Sequence, residues 1–194
     1  VTPLTTAYHG YDIWELPPNG QGMIALMALN ILKGITLPSL DDPRSWHLQI
    51  EALKLAATDA YHYIADPRTG MKVTPRQLLS TAYAEQRRAL ITDEALLPAV
   101  GNPTDGGTVY LCTADADGNM VSYIQSNYNG FGSGIVIPGT GIALHNRGSG
   151  FCLDESSCNC LAPGKRPYHT IIPGFISKDG RPVAPFRVMG AFMQ

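Results

Sequence analysis

Charge is scarce in this chain. Asp, Glu, Lys and Arg make up 15% of its 194 residues, against roughly 25% in an ordinary soluble domain. The 14 basic and 16 acidic side chains nearly cancel to a formal net charge of −2. With no basic excess to grip a polyanion, nucleic-acid binding is excluded as a function class. Long hydrophobic runs are missing too. None approaches the roughly 18 consecutive apolar residues of a membrane-spanning helix, so a membrane span is not expected. Cysteine is sparse: Cys112, Cys152, Cys158 and Cys160 do not have the spacing of paired C-x-x-C zinc ligands, and four are too few for a disulfide scaffold of this length. Metal binding at Cys158 and Cys160 is the lesser reading. Free thiols in a reducing compartment are favoured, which leans localisation slightly toward the cytoplasm.

Apolar and turn-forming residues are plentiful. A hydrophobic fraction of 44% supports a packed core and excludes a disordered tail. Glycine (20) and proline (15) exceed their usual share, which together with little charge predicts much buried surface and tight loops. The same composition fits a piece of a larger protein, and a chain running from Val1 to Gln194 is read as such a segment.

The chain divides into two textures. Residues 1–91 read as helical. Pro17-Pro18-Asn19-Gly20 is a turn, and Met23 to Leu32 a helix apolar on nearly all sides, hence buried, stopping at Gly34. A second helix starts with Asp42 as N-cap and Pro43 in its first turn, with Trp46, Ile50, Leu53, Ala57, Tyr61 and Ile64 on one apolar face. A third opens on the capping box Thr74-Pro75-Arg76-Gln77. Its buried face is Leu79, Ala82, Tyr83 and Leu90, with Glu85, Arg87 and Arg88 solvated. After a loop over 92–107 the texture turns to β: Thr108 to Ala114, a turn at Asp115 to Asn119, and a returning strand from Met120 to Ser126. Ile135 to Ile137, Tyr168 to Ile176 and Val183 to Met189 are further strand candidates. The loop Gly130-Phe131-Gly132-Ser133-Gly134 lacks the Lys-Ser/Thr of a phosphate cradle. It reads as a tight corner or a close backbone approach to a small ligand.

The junction at Gly107-Thr108 carries the chemistry. If the peptide bond before Thr108 were cut, that residue would hold both a hydroxyl and a free α-amine. An α-amine titrates near 7.7–8.0, so one residue would supply nucleophile and base. The surrounding stretches Gly107-Thr108-Val109-Tyr110-Leu111-Cys112, Asp117-Gly118-Asn119-Met120-Val121-Ser122, Phe131-Gly132-Ser133-Gly134, Gly139-Thr140-Gly141-Ile142 and Leu161-Ala162-Pro163-Gly164-Lys165-Arg166-Pro167 resemble the start of the small subunit in the γ-glutamyltransferase family. Glu15-Leu16-Pro17-Pro18-Asn19-Gly20-Gln21-Gly22 and Leu26-Met27-Ala28-Leu29-Asn30-Ile31-Leu32 are similar to the end of its large subunit. The likeness runs in order through essentially the whole chain.

The resemblance implies an α+β fold, the αββα sandwich of N-terminal nucleophile hydrolases, here in part. Residues 1–107 would be the C-terminal part of the large subunit and 108–194 the N-terminal part of the small one, cut from one precursor. It implies that Thr108 attacks the Gly107 carbonyl, shifts the acyl group to oxygen and is released by water. The mature Thr108 then attacks a γ-glutamyl amide and passes the acyl group to water or an amine. Ser126 would assist the nucleophile. Gly190 and Ala191 would supply the backbone donors of an oxyanion hole. No cofactor or metal is implied, and a homo-oligomer stays open.

The chain departs from the family at the amino-acid clamp. The acidic residue expected just before Phe151 is Gly150, the expected Asn is Tyr128, the paired serines are His169 and Thr170, and the second Thr is Val109. These changes place the chain nearer the acylase-like branch, where Arg147 and His169 serve a different acyl group or only structure. Three readings follow: a transferase acting on γ-glutamyl amides such as glutathione, an acylase on other side-chain amides of the glutaryl or cephalosporin type, and an uncut, inactive precursor segment.

Overall fold

A computed structural model describes residues 1–96 and 108–188. Gly107, Gly190, Ala191, most of the 92–107 loop and the end of the strand expected to reach Met189 lie outside the described residues.

The chain opens with two strands where helix was expected. β1 (Leu4–Tyr8) and β2 (Tyr11–Glu15) pair antiparallel around His9-Gly10. Both turn residues have positive φ, 47° and 82°, the backbone hand that suits a two-residue hairpin between twisted strands. Alternating Thr, Tyr, Ile and Trp on either side was the legible signal. The expected helix follows as α1 (Met23–Leu32), and the second as α2 (Pro43–Tyr63), whose Asp42 cap accepts from the Arg44 amide at 2.8 Å.

The buried face of α2 is only partly the expected one: Ile64 is buried and Leu53 and Ala57 pack against the core. Trp46 and Ile50 are 56% and 52% exposed, while Leu48, Ala52, Leu55, Ala56 and Ala60 are buried. The reason is closeness: a row of alanines lets α1 pack tightly, and Met23, Met27, Ala28, Ala56, Ala60 and Ile64 form the main core. Glu51 and Asp59 are buried on this face because Lys54 (2.7 Å) and Arg87 (2.8 Å) pair with them.

The Thr74–Gln77 capping box is present and opens α3 (Pro75–Leu78). The helix then breaks, because Ser80 accepts from the Tyr83 amide at 3.3 Å and caps a new one, α4 (Thr81–Arg88). The break rotates the faces, so Leu78 and Ala84 are buried while Ala82 and Leu90 are exposed. Arg87 and Arg88 are not simply solvated either. Arg88 donates to the Ile31 and Asn30 carbonyls at 2.7 and 3.0 Å and closes the last turn of α1.

In the second half, β3 (Thr108–Ala114) and β4 (Met120–Ser126) form the expected hairpin, in register from Thr108↔Ser126 to Ala114↔Met120. The segment 135–137 makes one isolated bridge, Val136↔Ala143, rather than a strand. Residues 168–173 run beside the first half through the bridge Gly20↔His169, and the strand begins only at β5 (Gly174–Lys178). β6 (Arg181–Phe186) completes a four-stranded antiparallel sheet of order β1-β2-β5-β6. The central pair, β2 with β5, joins the two halves in one sheet, and β4 lies against β6.

Candidate active site

Thr108 opens β3 directly opposite Ser126, the last residue of β4. Its hydroxyl donates to Ser126 Oγ at 3.1 Å, and the Tyr128 amide donates to the same oxygen at 3.0 Å. Facing positions on adjacent strands are the shortest cross-strand approach a sheet offers, so the ladder itself sets this pair. Tyr128 reaches Ser126 by turning back with φ of 79°, a left-handed conformation that a bulky side chain adopts only when its surroundings force it. Here they do: the Asn129 amide donates to Asn146 Oδ1 and the Asn146 amide to the Asn127 carbonyl, both at 3.1 Å.

That stitching sets Tyr128 beside a 3₁₀ turn, Arg147–Gly150. The Arg147 guanidinium sits 5.4 Å from the Tyr128 ring centroid, a cation–π distance, and its Nη1 donates to Thr170 Oγ1 at 3.1 Å. Arg147 is 4% exposed and Thr170 2%. A second guanidinium, from Arg187 after β6, donates to the Thr170 carbonyl at 2.7 Å and also to the Ile172 carbonyl. Behind it lies Glu15, 4% exposed at the end of β2. Gly22 and Gly174 make room for that carboxyl, since a Cβ on either would meet its oxygens within 2.6–2.7 Å.

Burial governs the ionisation here. It pushes the Glu15 carboxyl up to about 8 against the pull of Arg187. Burial first, then the like charge of Arg147, takes Arg187 down to about 10 although Glu15 works the other way. Arg147 is lowered by burial. His169 is held down to about 4 by burial and by Arg147 beside it, so its ring is neutral at physiological pH.

Thr108, Ser126, Tyr128, Arg147 and Thr170 thus form one connected chain of contacts. His169 lies alongside, its amide donating to the Asn19 carbonyl at 3.1 Å and its carbonyl accepting from the Gln21 amide at 3.0 Å. Gly150 closes the turn that starts at Arg147, with its carbonyl held by Asn159 Nδ2 at 2.9 Å. Gly107, Gly190 and Ala191 fall outside the described residues. Sequence reasoning passed over Glu15 and Arg187. The signal for them was a charged residue at the inner end of an apolar strand in a chain poor in charge. The loop at 130–134 is a backbone crossing: Gly132 has φ of 74°, and a Cβ there would run into the Leu144 carbonyl. A cavity of about 360 Å³ is lined by Glu15 and Arg187 together with Leu53, Ala57, Tyr61 and Ile172.

Comparison with known proteins identifies the family of the chain. The family model described as gamma-glutamyltranspeptidase matches residues 1–194. The chain is 38% identical over 190 residues to the glutathione hydrolase-like YwrD proenzyme of Bacillus subtilis (strain 168), covering 97% of this chain and 36% of that protein. It is 38% identical over 180 residues to the oxamate amidohydrolase proenzyme of Klebsiella pneumoniae, covering 92% and 34%. The crystal structure of a cephalosporin acylase from Bacillus halodurans superposes with a TM-score of 0.92 at 56% identity, over 100% of this chain and 35% of that one. The chain therefore spans about a third of the length of the relatives it matches.

Proposed function

The chain belongs to the gamma-glutamyltranspeptidase family, a family of hydrolases and transferases, and from that premise we propose that it forms the catalytic centre of a self-processing amide hydrolase and acyltransferase with Thr108 as nucleophile. The single observation that carries this reading is the Thr108 hydroxyl on Ser126 Oγ at 3.1 Å, with the Tyr128 amide fixing that oxygen from the other side.

In the processing step, Thr108 Oγ attacks the Gly107 carbonyl carbon. The acyl group moves from nitrogen to oxygen, and water hydrolyses the ester, leaving a Gly107 carboxylate and a free Thr108 α-amine. Residues 1–107 and 108–194 then belong to the large and small subunits of one precursor, layered as an αββα sandwich in the complete enzyme. In turnover the α-amine takes the hydroxyl proton as Oγ attacks the substrate amide. The proton passes to the leaving amine as the C–N bond breaks, and water or an acceptor amine removes the acyl group from Thr108. Ser126 holds the attacking hydroxyl in one rotamer and can turn its own hydrogen toward the alkoxide as charge develops. Gly190 and Ala191 supply the oxyanion donors.

γ-Glutamyl amides such as glutathione are the first substrate class for this centre. A second reading, an acylase on other side-chain amides, is favoured by Gly150, which offers no carboxylate to a substrate ammonium. Mass spectrometry of the full-length precursor tests the common mechanism. A fragment beginning at Thr108 is expected in the parent and absent in Thr108→Ala, together with loss of amide turnover. An uncut parent that still turns over amides would refute it.

A further inference from the structure

Cys152, Cys158 and Cys160 lie in the loop that leaves the Arg147–Gly150 turn, and all three are free thiols. Two of them face each other. The Cys152 amide donates to the Asn159 carbonyl at 3.2 Å and the Leu161 amide to the Cys152 carbonyl at 2.9 Å, which makes Cys152 and Cys160 the paired residues of an isolated parallel bridge. Backbones paired in this way lie about 4.7–4.9 Å apart, with the opposed side chains on one face. A disulfide needs Cα atoms about 4.4–6.8 Å apart, so the backbone already meets the requirement.

Neither sulfur of the pair is firmly held elsewhere. Cys152 Sγ is 3.8 Å from the Asp154 carbonyl and Cys160 Sγ 3.8 Å from the Leu161 carbonyl. These are long contacts for a weak donor, and turning the two thiols toward each other loses little. Cys158 is anchored. Its thiol donates to the His62 carbonyl at the end of α2 at 3.0 Å, its carbonyl accepts from Lys165 Nζ at 2.8 Å, and burial pushes the thiol up, leaving less of the reactive thiolate. The loop is also joined to the site. Asn159 donates from Nδ2 to the Gly150 carbonyl at 2.9 Å and accepts from the Tyr168 amide at 3.3 Å. It thereby clips the end of the Arg147 turn to the residue before His169.

We infer that Cys152 and Cys160 are a dithiol–disulfide pair, a modification site whose oxidised form braces the Asn159 clip. The oxidant is a low-molecular-weight disulfide. One cysteine thiolate attacks it, forming a mixed disulfide and releasing one thiol, and the other cysteine then displaces the second thiol. Two protein S–H bonds and one reagent S–S bond become one protein S–S bond and two reagent S–H bonds, so protons and electrons balance. The pair stands whether or not Thr108 is the nucleophile.

The test equilibrates the full-length protein with mercaptoethanol and hydroxyethyl disulfide, a couple that holds no γ-glutamyl amide. Free thiols are then alkylated, and the digest is mapped by mass spectrometry. A Cys152–Cys160 crosslink is expected at oxidising ratios, with Cys112 and Cys158 alkylated. Hydrogen exchange of the Tyr168 amide should slow by about tenfold to a hundredfold on oxidation, the restriction that closing a loop of this length imposes. That slowing should be absent in Cys160→Ser and in Asn159→Ala. Cys152 and Cys160 alkylated at every ratio, left as separate mixed disulfides, or a Cys152–Cys158 crosslink overturns the pair. A Cys152–Cys160 crosslink that leaves Tyr168 exchange unchanged overturns the brace. If either variant fails to fold, the crosslink map and the exchange rates of the oxidised and reduced parent decide both points.

Discussion

Removing the Ser126 hydroxyl isolates the contribution of the pair at the head of the β3–β4 hairpin. Ser126 Oγ accepts one hydrogen bond from the Thr108 hydroxyl at 3.1 Å and another from the Tyr128 amide at 3.0 Å. In the resting enzyme the first is a neutral hydrogen bond, worth about 1 kcal/mol net. As Thr108 develops alkoxide character the partner becomes charged, and such a bond is worth about 1.5–3 kcal/mol. Ser126→Ala is therefore expected to slow the chemical step by about tenfold to a hundredfold, in kcat more than in KM, because the loss falls on the transition state. Precursor cutting should slow by a similar factor, since under the proposed mechanism the same oxygen attacks in both reactions. The substitution also strands the Tyr128 amide beside a ring held at φ of 79°, so some loss of stability accompanies it. Ser126→Thr retains the oxygen and should recover most of both rates. The assay is p-nitroaniline release by processed enzyme, paired with a time course of precursor cutting. If Ser126→Ala cuts and turns over at parental rates, the hydroxyl is only a strand side chain facing its neighbour, and the site reading built on it is wrong.

Two further outcomes follow from buried carboxyls of opposite kind. Asp66 is fully buried, with Arg68 Nη2 at 2.6 Å, the Arg166 amide at 3.1 Å and Arg166 Nη2 at 3.4 Å, and its carboxyl is held well below the usual carboxylate range, chiefly by Arg68. Asp66→Asn should lower stability in urea unfolding by about 2 kcal/mol at neutral pH. A depressed pKa stabilises above the unfolded value and is lost as pH falls, so the gap between parent and variant should close in acid. Glu15 has the opposite sign: its carboxyl is raised to about 8, so the folded state holds a proton that the unfolded state has released. Stability should decline as pH climbs from the ordinary glutamate value of about 4.3 toward 8, and Glu15→Gln should flatten that decline; an unchanged slope would place the carboxyl in contact with water.

The elements that depend on local chemistry were readable from the sequence, and those that depend on distant partners were not. Asp42-Pro43 and Thr74-x-x-Gln77 are self-contained caps, and both helices begin there. Asp115 to Asn119 folds through its own Asp115 carboxylate, which accepts from the Asp117 and Asn119 amides, and the hairpin around it has the expected bounds. By contrast, the expected apolar stripe is split: Leu53, Ala57 and Ile64 pack on the core, but Trp46, Ile50 and Tyr61 are exposed, because periodicity counts bulk while packing against α1 rewarded the small alanines between. The first hairpin carried its own local signal, alternation around His9-Gly10, and was missed all the same; what lay out of reach was its place in the sheet, with β2 beside β5 some 160 residues later. In the site, Thr108 and Ser126 were visible as motif positions. The Arg187–Glu15 pairing was not, since it joins the ends of two strands that meet only in the folded sheet.

The same long-range pairing bears on what a break before Thr108 would do. Residues before 97 and after 107 are joined by the β2–β5 ladder, by the Gly20↔His169 bridge, by Asn19 Nδ2 on the Pro167 carbonyl at 2.8 Å, by the Tyr168 hydroxyl on Gln21 Oε1 at 3.1 Å, and by Arg166 on Asp66. None of these runs through the junction. Cutting it would open one connection and leave the core, the shared antiparallel sheet and the ion pairs of Asp66 intact, so the two products have no reason to part. Thr108 itself is tied by strand pairing from its first residue, so a newly made terminus would stay opposite Ser126 instead of fraying into solvent. A nucleophile that is also a chain end needs that restraint. A short, in-register hairpin beginning on Thr108 would supply it at the cost of a single cross-strand position.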